Sequence, residues 1–304
     1  MTDKIKVVFL GTSASTPTKK RGLSSVTLFY SGEWLLFDVP EGTQKQMLKS
    51  KVSYLKINHI FISHFHGDHI LGLPGLLATM NIHGRDWPLT IYGPKGIREK
   101  VNESLKLAML EPYFEIKCIE TTKGKILKTE NYTIEAFPLK HEIPCFGYSF
   151  IEKDKQGEFM RAKAISLGVP IGPAFSDLQK GKIVKINGKT IKPEDVLDTK
   201  KGRKGRKISL VFDTLPVKSY HSAITESDLL IHESSFLESM KERAKETLHT
   251  TALQAGKTAA ETKCKKLILF HLSARHKDEL EFENEARKEF SNVQVATDLM
   301  EIEI

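Results

Sequence analysis

A short histidine-rich segment carries the most chemical information in the sequence. Three imidazoles and one carboxylate occur within six residues: His64, His66, Asp68 and His69. Histidine and carboxylate side chains are the ligands that zinc prefers in catalytic sites. Gly67 lets the chain turn tightly, so the residues before and after it can face two different metal ions. The spacing therefore favours a metal centre over ordinary packing of histidine side chains.

Three later residues extend this set. His141, Asp213 and His271 each come directly or shortly after a stretch that predicts a β-strand. In this pattern the chain resembles the metallo-β-lactamase superfamily, whose H-x-H-x-D-H motif matches residues 64–69. The resemblance implies an α/β fold, a four-layer αββα sandwich, with two metal ions held between loops at one edge.

The same resemblance implies which residue binds which ion. It assigns His64, His66 and His141 to one zinc ion, Asp68, His69 and His271 to the other, and Asp213 to a bridging position. Zinc lowers the pKa of a bound water to about 7, and two ions roughly 3.5–4 Å apart can stabilise the attacking and leaving oxygens of a phosphodiester. Asp68 is also expected to orient or deprotonate the attacking water.

Two segments near the N-terminus are similar to motifs of the ribonuclease Z family. Residues 37–44, with the sequence F-D-V-P-E-G-T-Q, resemble its F-D-x-G-E-G-T-Q motif, with Pro40 in place of a glycine. Residues 17–22 resemble its P-x-K-x-R-N loop, with Gly22 in place of the asparagine. The resemblance implies that Lys19 and Arg21 contact tRNA phosphates, although a solvated basic turn is an equally ordinary interpretation of this loop.

Two further loops resemble the family's H-E-A-T and H-S-T loops. They are residues 232–236, H-E-S-S-F, and residues 249–251, H-T-T. The resemblance implies that Glu233 pairs with His249, and that His249 protonates the leaving 3′-oxygen. A neighbouring carboxylate favours the charged imidazolium, which makes such an acid competent. Thr250 is assigned to the substrate, and His232 is expected to be structural.

The last motif lies at residues 271–275, where H-L-S-A-R matches the family's H-x-S-x-R. Arg275 is either a phosphate ligand or a residue that pins the C-terminal helix. Residues 212–214 are F-D-T where the family has G-D-T, so Phe212 is expected to crowd or reshape that edge of the site without abolishing metal binding.

Positive charge is concentrated in one segment. The formal net charge of the chain is +8, and residues 180–207 alone contain eleven basic and three acidic residues. The surrounding stretch, residues 153–207, is rich in glycine and proline and shows weak periodicity, which predicts an inserted basic flexible arm. A plain surface excursion is the alternative. The segment resembles the tRNA-binding arm of the ribonuclease Z family, which implicates Lys180 and Lys182 in binding the tRNA elbow.

Alternating elements must position these residues. Strands are predicted at 5–10, 26–30, 33–37, 57–62, 89–92, 114–119, 132–137, 208–212, 229–232 and 266–270. Helices are predicted at 43–49, 71–82, 94–110, 252–262 and 278–290. Residues 31–32, Ser-Gly, predict a tight hairpin turn. This alternation favours sheets covered by helices, in one domain that spans residues 1–304.

Bulk composition narrows the class of protein. No apolar run long enough to span a membrane and no signal peptide are evident, which predicts a cytoplasmic protein. The three cysteines, Cys118, Cys145 and Cys264, are too few and too scattered for a disulfide framework or a thiolate zinc site.

The function that the resemblance to the ribonuclease Z family implies is that of a zinc-dependent endoribonuclease. It would remove 3′ trailers from precursor tRNA after the discriminator, leave a 3′-hydroxyl, and work as a homodimer with two zinc ions per subunit. The alternative is another dinuclear zinc hydrolase of the same fold, such as a small-molecule phosphodiesterase or lactonase, which has little need for a basic arm. A non-catalytic relict would not keep all seven ligands, and a β-CASP nuclease needs a second large domain.

Overall fold

The structure, a computed structural model, describes residues 4–276 and 278–304. In chain order the strands are β1 Lys6–Gly11, β2 Ser13–Ala14, β3 Ser25–Tyr30, β4 Glu33–Phe37, β5 Ile57–Phe61, β6 Leu89–Gly93, β7 Ile116–Glu120, β8 Gly124–Lys128, β9 Tyr132–Leu139, β10 Cys145–Glu152, β11 Glu158–Phe159, β12 Val184–Ile186, β13 Lys189–Ile191, β14 Leu197–Asp198, β15 Lys207–Val211, β16 Leu229–Glu233, β17 Leu267–Phe270, β18 Leu272–Ser273, β19 Val293–Val295 and β20 Glu301–Glu303. The helices are α1 Thr43–Leu48, α2 Gly67–Ile70, α3 Leu73–Ile82, α4 Ile97–Leu107, α5 Arg161–Ser166, α6 Pro173–Gln179, α7 Pro193–Val196, α8 His221–Ile224, α9 Lys241–Glu246, α10 Ala252–Glu261 and α11 Leu280–Arg287. Short 3-10 turns occur at Tyr54–Lys56, Thr199–Lys201, Lys218–Tyr220 and Glu238–Met240.

Two seven-stranded sheets form the framework of the larger of two compact units. The first sheet has the order β20-β1-β3-β4-β5-β6-β7, and the second has the order β19-β17-β16-β15-β10-β9-β8. In the first sheet β4, β5, β6 and β7 run parallel, and in the second sheet β15, β16, β17 and β19 run parallel. Parallel strands expose their carboxyl ends at a common edge, which is where loops can meet.

Apolar side chains fill the space between the sheets and both outer faces. Aromatic rings of the two sheets meet in the middle, with Phe37 and Phe61 centroids 5.9 and 5.5 Å from Tyr148. On the outer side of the first sheet, buried residues of β4 to β6 pack with those of α1, α3 and α4. On the outer side of the second, β15 to β17 pack with α10 and α11. The layers are therefore helix, sheet, sheet and helix, which confirms the fold that the family resemblance implied.

Local sequence explains two connections that matter for the site. Ser31 and Gly32 both have positive φ angles, of 53° and 92°, which is the geometry of a type I′ turn and confirms the predicted hairpin. Helix α10 begins with a capping box, in which the Thr251 hydroxyl and the Gln254 amide satisfy each other's backbone N–H groups. This cap fixes the chain at Thr251, two residues after His249.

A second compact unit comprises residues 130–132 and 151–206. It contains helices α5 to α7, the short hairpin β12–β13 and the antiparallel pair β11–β14. Its core is formed by Ala164, Val169, Leu178, Ile191 and Val196. This packed core differs from the irregular segment that the weak periodicity predicted. Its helices have four to seven residues, too few for a periodic pattern to show in the sequence.

A buried ion cluster closes the second unit where its chain enters and leaves. Glu152 is 2% exposed, and its carboxylate accepts bidentate hydrogen bonds from Arg203 at 2.6 and 2.8 Å and from Arg206 at 2.8 and 3.0 Å. Nearby, the backbones of Lys155 and Arg203 exchange two hydrogen bonds of 2.9 Å. Two residues of the basic segment therefore serve its structure.

None of the helices in the described part of the chain is long and apolar enough to cross a membrane.

Candidate metal centre

Seven predicted ligands meet where strands of the larger unit end. His64, His66, Asp68 and His69 follow β5, His141 follows β9, Asp213 follows β15, and His271 follows β17. Each strand is anchored by buried apolar neighbours, so each loop leaves its sheet from a fixed point. The seven residues, which are spread along the chain, therefore lie in one cluster.

The first group consists of His64, His66, His141 and Asp213. The His66 Nδ1 atom lies 3.1 Å from His64 Nε2 and 3.2 Å from His141 Nε2. Asp213 Oδ2 lies 3.7 Å from His64 Nε2 and 3.9 Å from His141 Nε2. Three ring nitrogens and one carboxylate oxygen therefore surround a single point.

The second group consists of Asp68, His69 and His271, with Asp213 beside it. Asp68 Oδ2 lies 3.6 Å from His69 Nε2 and 3.7 Å from His271 Nε2. Asp213 completes this group, with Oδ2 3.5 Å from His69 Nε2 and Oδ1 3.3 Å from His271 Nε2. Asp213 lies within 4 Å of histidines of both groups, which is the arrangement that a bridging ligand requires.

The donor atoms fit divalent metal ions. Ligands about 2.0–2.1 Å from a tetrahedral ion lie about 3.3–3.4 Å apart, and the distances in both groups scatter around that value. Among the described residues, the buried atoms His69 Nε2, His271 Nε2 and Asp213 Oδ1 have no hydrogen-bond partner. Unpaired buried polar atoms are costly, and a bound cation would satisfy all of them. The cluster is therefore suited to hold divalent metal.

Most of the ligand histidines are oriented by a hydrogen bond to the ring nitrogen that faces away from the cluster. Asp38 Oδ2 accepts from His69 Nδ1 at 2.7 Å, and the Leu248 carbonyl accepts from His141 Nδ1 at 3.2 Å. The Ser63 hydroxyl lies 2.9 Å from His64 Nδ1, and the Ser235 hydroxyl lies 2.9 Å from His271 Nδ1. Such partners fix ring orientation and tautomer and raise ligand basicity.

Asp38 is a functional residue that the sequence reasoning missed. It is fully buried, has a positive φ of 58°, and accepts the Ser63 N–H at 2.7 Å as well as the His69 ring. Burial raises the pKa of this carboxyl, although the His69 ring and Ser63 oppose the effect. The signal that could have found it is its place directly after β4, in the same kind of position as the ligands.

The protonation preferences of the cluster suit metal binding at most positions. Burial lowers the pKa of His64 well below its usual value and also lowers that of His141, so both rings stay neutral. The pKa of Asp213 lies well below normal because His271 and His69 outweigh the burial that would raise it. At His69 burial acts in the same direction as at His64, but Asp213 and Asp38 overcome it and raise the pKa, so a metal ion would displace a proton there.

A second pair, Glu233 and His249, lies beside the ligands. Glu233 is fully buried, and its Oε1 atom lies 3.1 Å from His249 Nδ1 and accepts the Thr250 N–H at 2.9 Å. Its Oε2 atom accepts both the N–H and the hydroxyl of Ser235. Burial alone would lower the pKa of His249, but Glu233 overcomes it and raises the pKa to about 9. A ligand atom of His249 also lies within 4.8 Å of those of Asp213 and His271, so the imidazolium faces the cluster.

Two residues predicted to touch substrate are instead buried. Arg21 is 8% exposed, forms a 2.6 Å ion pair with Glu279, and donates to the Ala296 carbonyl at 2.9 Å. Thr250 is fully buried, and its hydroxyl donates to the Thr214 carbonyl at 2.7 Å. The structure therefore places both side chains in internal networks rather than on an RNA-facing surface.

The other predicted substrate residues are exposed. Lys19 lies on the surface of the larger unit, and so does Arg275, whose guanidinium makes a long 3.4 Å contact with the Ser273 hydroxyl. In the smaller unit, Lys180 pairs with Glu130 at 2.9 Å and Lys182 pairs with Asp177 at 3.0 Å. Exposed pairs of this kind contribute little, so these ammonium groups stay available to phosphates.

Two positions that depart from the family motifs, Phe212 and Pro40, have defined surroundings in the structure. Phe212 is fully buried between Tyr148 and Phe270, with its ring 6.4 Å from that of His69, so it packs beneath the ligands rather than into the cluster. The Pro40 carbonyl accepts hydrogen bonds from the N–H and hydroxyl of Thr43 at the start of α1. His232 is buried and bonded to Tyr220 and the Glu233 carbonyl, in keeping with a structural role.

A family model, curated relatives and solved structures bear on the family of this chain. A family model described as Anti-Pycsar protein Apyc1 matches residues 5–157. A curated ribonuclease Z from Methanosarcina mazei is 42% identical over 99% of this chain and 98% of its own length. The crystal structure of human tRNase Z, short form, matches with a TM-score of 0.71 and 29% identity over 98% of both chains.

The metallo-β-lactamase fold protein YhfI from Bacillus subtilis matches with a TM-score of 0.72, but at 18% identity over 99% of this chain and 100% of that one it shows the fold alone. The full-length identity to a curated relative is what assigns the family. The chain belongs to the ribonuclease Z family of the metallo-β-lactamase fold.

Proposed function

We propose that this protein is an endoribonuclease that removes 3′ trailers from precursor tRNA, cutting after the discriminator and leaving a 3′-hydroxyl. The observation that carries the proposal is the complete set of seven converging ligands in a chain 42% identical over its length to a ribonuclease Z. The name of the solved human relative, tRNase Z, supports tRNA as the substrate. Because precursor tRNA is made inside the cell, we place the enzyme in the cytoplasm.

The proposed cofactor is a pair of zinc ions in each subunit. His64, His66 and His141 would hold one ion, Asp68, His69 and His271 the other, and Asp213 would bridge them. The nitrogen-rich donor set supports zinc over magnesium or calcium, which prefer oxygen ligands. When bound, the two ions would supply Lewis acidity at the scissile phosphodiester.

Asp68 has a second proposed role. Burial would raise the pKa of this carboxyl, but the His271 and His69 rings outweigh that effect and lower it. Because its side chain is 16% exposed, the carboxylate is within reach of a water molecule entering the site. We assign to it the orientation of the attacking water and the acceptance of its proton.

His249 is the proposed general acid, and Glu233 is the residue that keeps it charged. The attack expels the 3′-oxygen of the discriminator nucleotide, which leaves more easily when it receives a proton. His249 Nδ1 faces Glu233, so the Nε2 side of the ring is left to donate that proton toward the cluster. The raised pKa, about 9, keeps the imidazolium populated at neutral pH.

The basic second unit is the proposed grip on tRNA. Lys180 and Lys182 are exposed, and most other basic residues of 180–207 are exposed with them. Such a surface binds phosphates through charge rather than through base sequence, which suits a substrate class with one shape and many sequences. Lys19 and Arg275 are proposed to contact the RNA near the metal centre.

A homodimer is the proposed assembly, with the basic unit of one subunit holding RNA for the centre of the other. Exposed apolar side chains near the ends of α3 and α4 support it: Ile82, Leu107, Met109 and Tyr113 are each at least 75% exposed. Helices α3 and α4 pack together, and large exposed apolar side chains near the ends of packed helices are typical of protein contact surfaces. Light scattering at micromolar concentration should give twice the chain mass, and an active monomer would contradict this assembly.

The deciding experiment is cleavage of a 3′-extended precursor tRNA by the wild type and by Asp68→Ala, each with and without chelator. A single cut after the discriminator, lost in the variant and restored to the chelated wild type by zinc, is the expected result. A folded, zinc-loaded wild type that leaves the RNA intact but hydrolyses a small phosphodiester would point instead to a small-substrate hydrolase of this fold.

A further inference from the structure

A loop near the start of the chain, residues 13–21, is held firmly at its base. The N–H groups of Thr12 and Ser13 donate to the Gly22 carbonyl at 2.9 and 2.8 Å. The buried Arg21 side chain ties the end of the loop to the Ala296 carbonyl. Within the loop, the Ser13 hydroxyl donates to the Thr16 carbonyl at 2.6 Å. The backbone is thus ordered from within, although residues 15–20 are exposed.

This loop reaches two ligands of the second metal group. Strand β2 pairs in parallel with β18, which begins one residue after His271, and the Leu272 N–H donates to the Thr12 carbonyl at 3.0 Å. The Ser15 backbone N–H donates to Asp68 Oδ2 at 2.8 Å. Ligands of the first group are oriented from elsewhere, His64 by Ser63 and His141 by the Leu248 carbonyl.

The backbone at Ser15 has an uncommon conformation. Its φ is +56°, in the left-handed region that side chains other than glycine, asparagine and aspartate seldom adopt. A side chain that is exposed and makes no packing contribution does not explain that conformation. The hydrogen bond from the Ser15 N–H to Asp68 explains the conformation, because this charge-assisted interaction offsets the strain of the turn.

We infer that the Ser15 backbone N–H is a positioning group for Asp68, and that it selectively supports the second metal ion. A carboxylate oxygen can accept an N–H with one lone pair and bind a cation with the other. Held in this way, Oδ2 stays aimed between His69 and His271, at 3.6 and 3.7 Å from their Nε2 atoms. Without the N–H, the carboxylate is free to turn about its terminal torsion. The inference rests on the proposed metal centre.

The test replaces the amide at position 15 by an ester, using the α-hydroxy analogue of serine, which removes the N–H and keeps the side chain. Ser15→Val disfavours the left-handed backbone by β-branching, and Ser15→Gly tolerates it with the N–H intact. Ser31→Val is the matched control, because Ser31 is an exposed serine with a φ of 53° in the β3–β4 turn. The readout is zinc content and affinity, measured by titration against a chromophoric chelator.

The ester and Ser15→Val are expected to weaken one of the two zinc ions by about tenfold or more while the other stays at wild-type affinity, the size of effect seen for groups that orient ligands. Ser15→Gly and Ser31→Val are expected to bind both ions as the wild type does. Two wild-type affinities in the ester protein, or equal weakening of both ions, would overturn the inference. A wild type that binds no zinc would overturn the proposed metal centre itself, and the two failures are therefore distinguishable.

Discussion

At the scale of single residues, the centre depends as much on the groups behind the ligands as on the ligands. Asp38 binds no metal in our assignment, yet it holds the His69 ring at 2.7 Å and the Ser63 backbone at the same distance. Ser63 in turn lies against the His64 ring. One buried carboxylate therefore orients a ligand of each metal group, and its loss would disturb both.

The Glu233–His249 pair leads to the first prediction, which concerns the leaving group. His249→Ala should slow precursor tRNA cleavage by about 100-fold or more, because an unprotonated 3′-oxygen leaves slowly. The same variant should hydrolyse bis(p-nitrophenyl) phosphate within a few-fold of wild type, because that leaving group needs no proton. Single-turnover rates on the two substrates measure the difference. The matched control is His221→Ala, because His221, on α8, is also a histidine that pairs with a glutamate, Glu261.

The sign of the pH effect follows from the same pair. Glu233 raises the pKa of His249, so Glu233→Gln should lower the pKa of His249. A general acid is lost as the pH rises above its pKa. The loss of the RNA-cleavage rate at alkaline pH should therefore begin at a lower pH in the variant than in the wild type. An equal loss on both substrates in His249→Ala would mean that this histidine supports the metal centre and is not the acid.

At the scale of elements, strands and helices with a clear hydrophobic pattern were predicted from the sequence, and elements without such a pattern were missed. The ligand-bearing strands were found because their sequences are short apolar runs or alternate apolar with polar residues. Strands β3 and β4 were found because Ser31-Gly32 between them predicts a tight turn. Strand β10 was missed: it starts at Cys145 and runs directly into the stretch read as an arm. The burial of Arg21 was not foreseen, because a basic loop motif does not show that its arginine turns inward to Glu279.

The second unit illustrates the same limit. Four of its five core residues lie in elements of three to seven residues, and Val169 lies in a loop, so the sequence shows no periodic pattern there. Contacts that lie far apart in sequence, such as Glu152 with Arg203 and Arg206, are likewise invisible to a pattern. A charge run that looks like a solvated arm can therefore hide a folded module.

The second prediction tests that module. Residues 156–202 can be excised cleanly, because the backbones of Lys155 and Arg203 already form a hydrogen-bonded antiparallel pair that a two-residue Asn-Gly turn can close. The shortened protein should keep hydrolysis of bis(p-nitrophenyl) phosphate within about threefold and should bind precursor tRNA at least about tenfold more weakly. Filter binding and initial rates provide the two readouts. Parallel loss of both activities, in a protein that still binds zinc, would refute the division of labour.

At the scale of the whole molecule, charge and chemistry are separated along the chain. The net charge of residues 180–207 equals that of the entire protein, so the remaining 276 residues are close to neutral overall. Affinity for a polyanion should therefore originate in the second unit, while the proposed metal ligands all belong to the first. Under the proposed function, this division would let one surface recognise tRNA as a class and leave the choice of bond to the metal centre.

The third prediction measures that separation through salt. Binding of precursor tRNA should weaken linearly on a log–log plot against salt, with a slope of about −0.7 to −0.9 for each phosphate contacted. Replacing four exposed insert lysines by glutamine, at Lys185, Lys189, Lys200 and Lys204, should flatten the slope by about 3. The matched control replaces four exposed lysines of the larger unit, Lys106, Lys123, Lys245 and Lys288. It changes the net charge equally and should leave the slope nearly unchanged, since net charge alone does not make contacts. If both sets flatten the slope alike, tRNA is attracted by the overall field of the protein, and the second unit is not its specific grip.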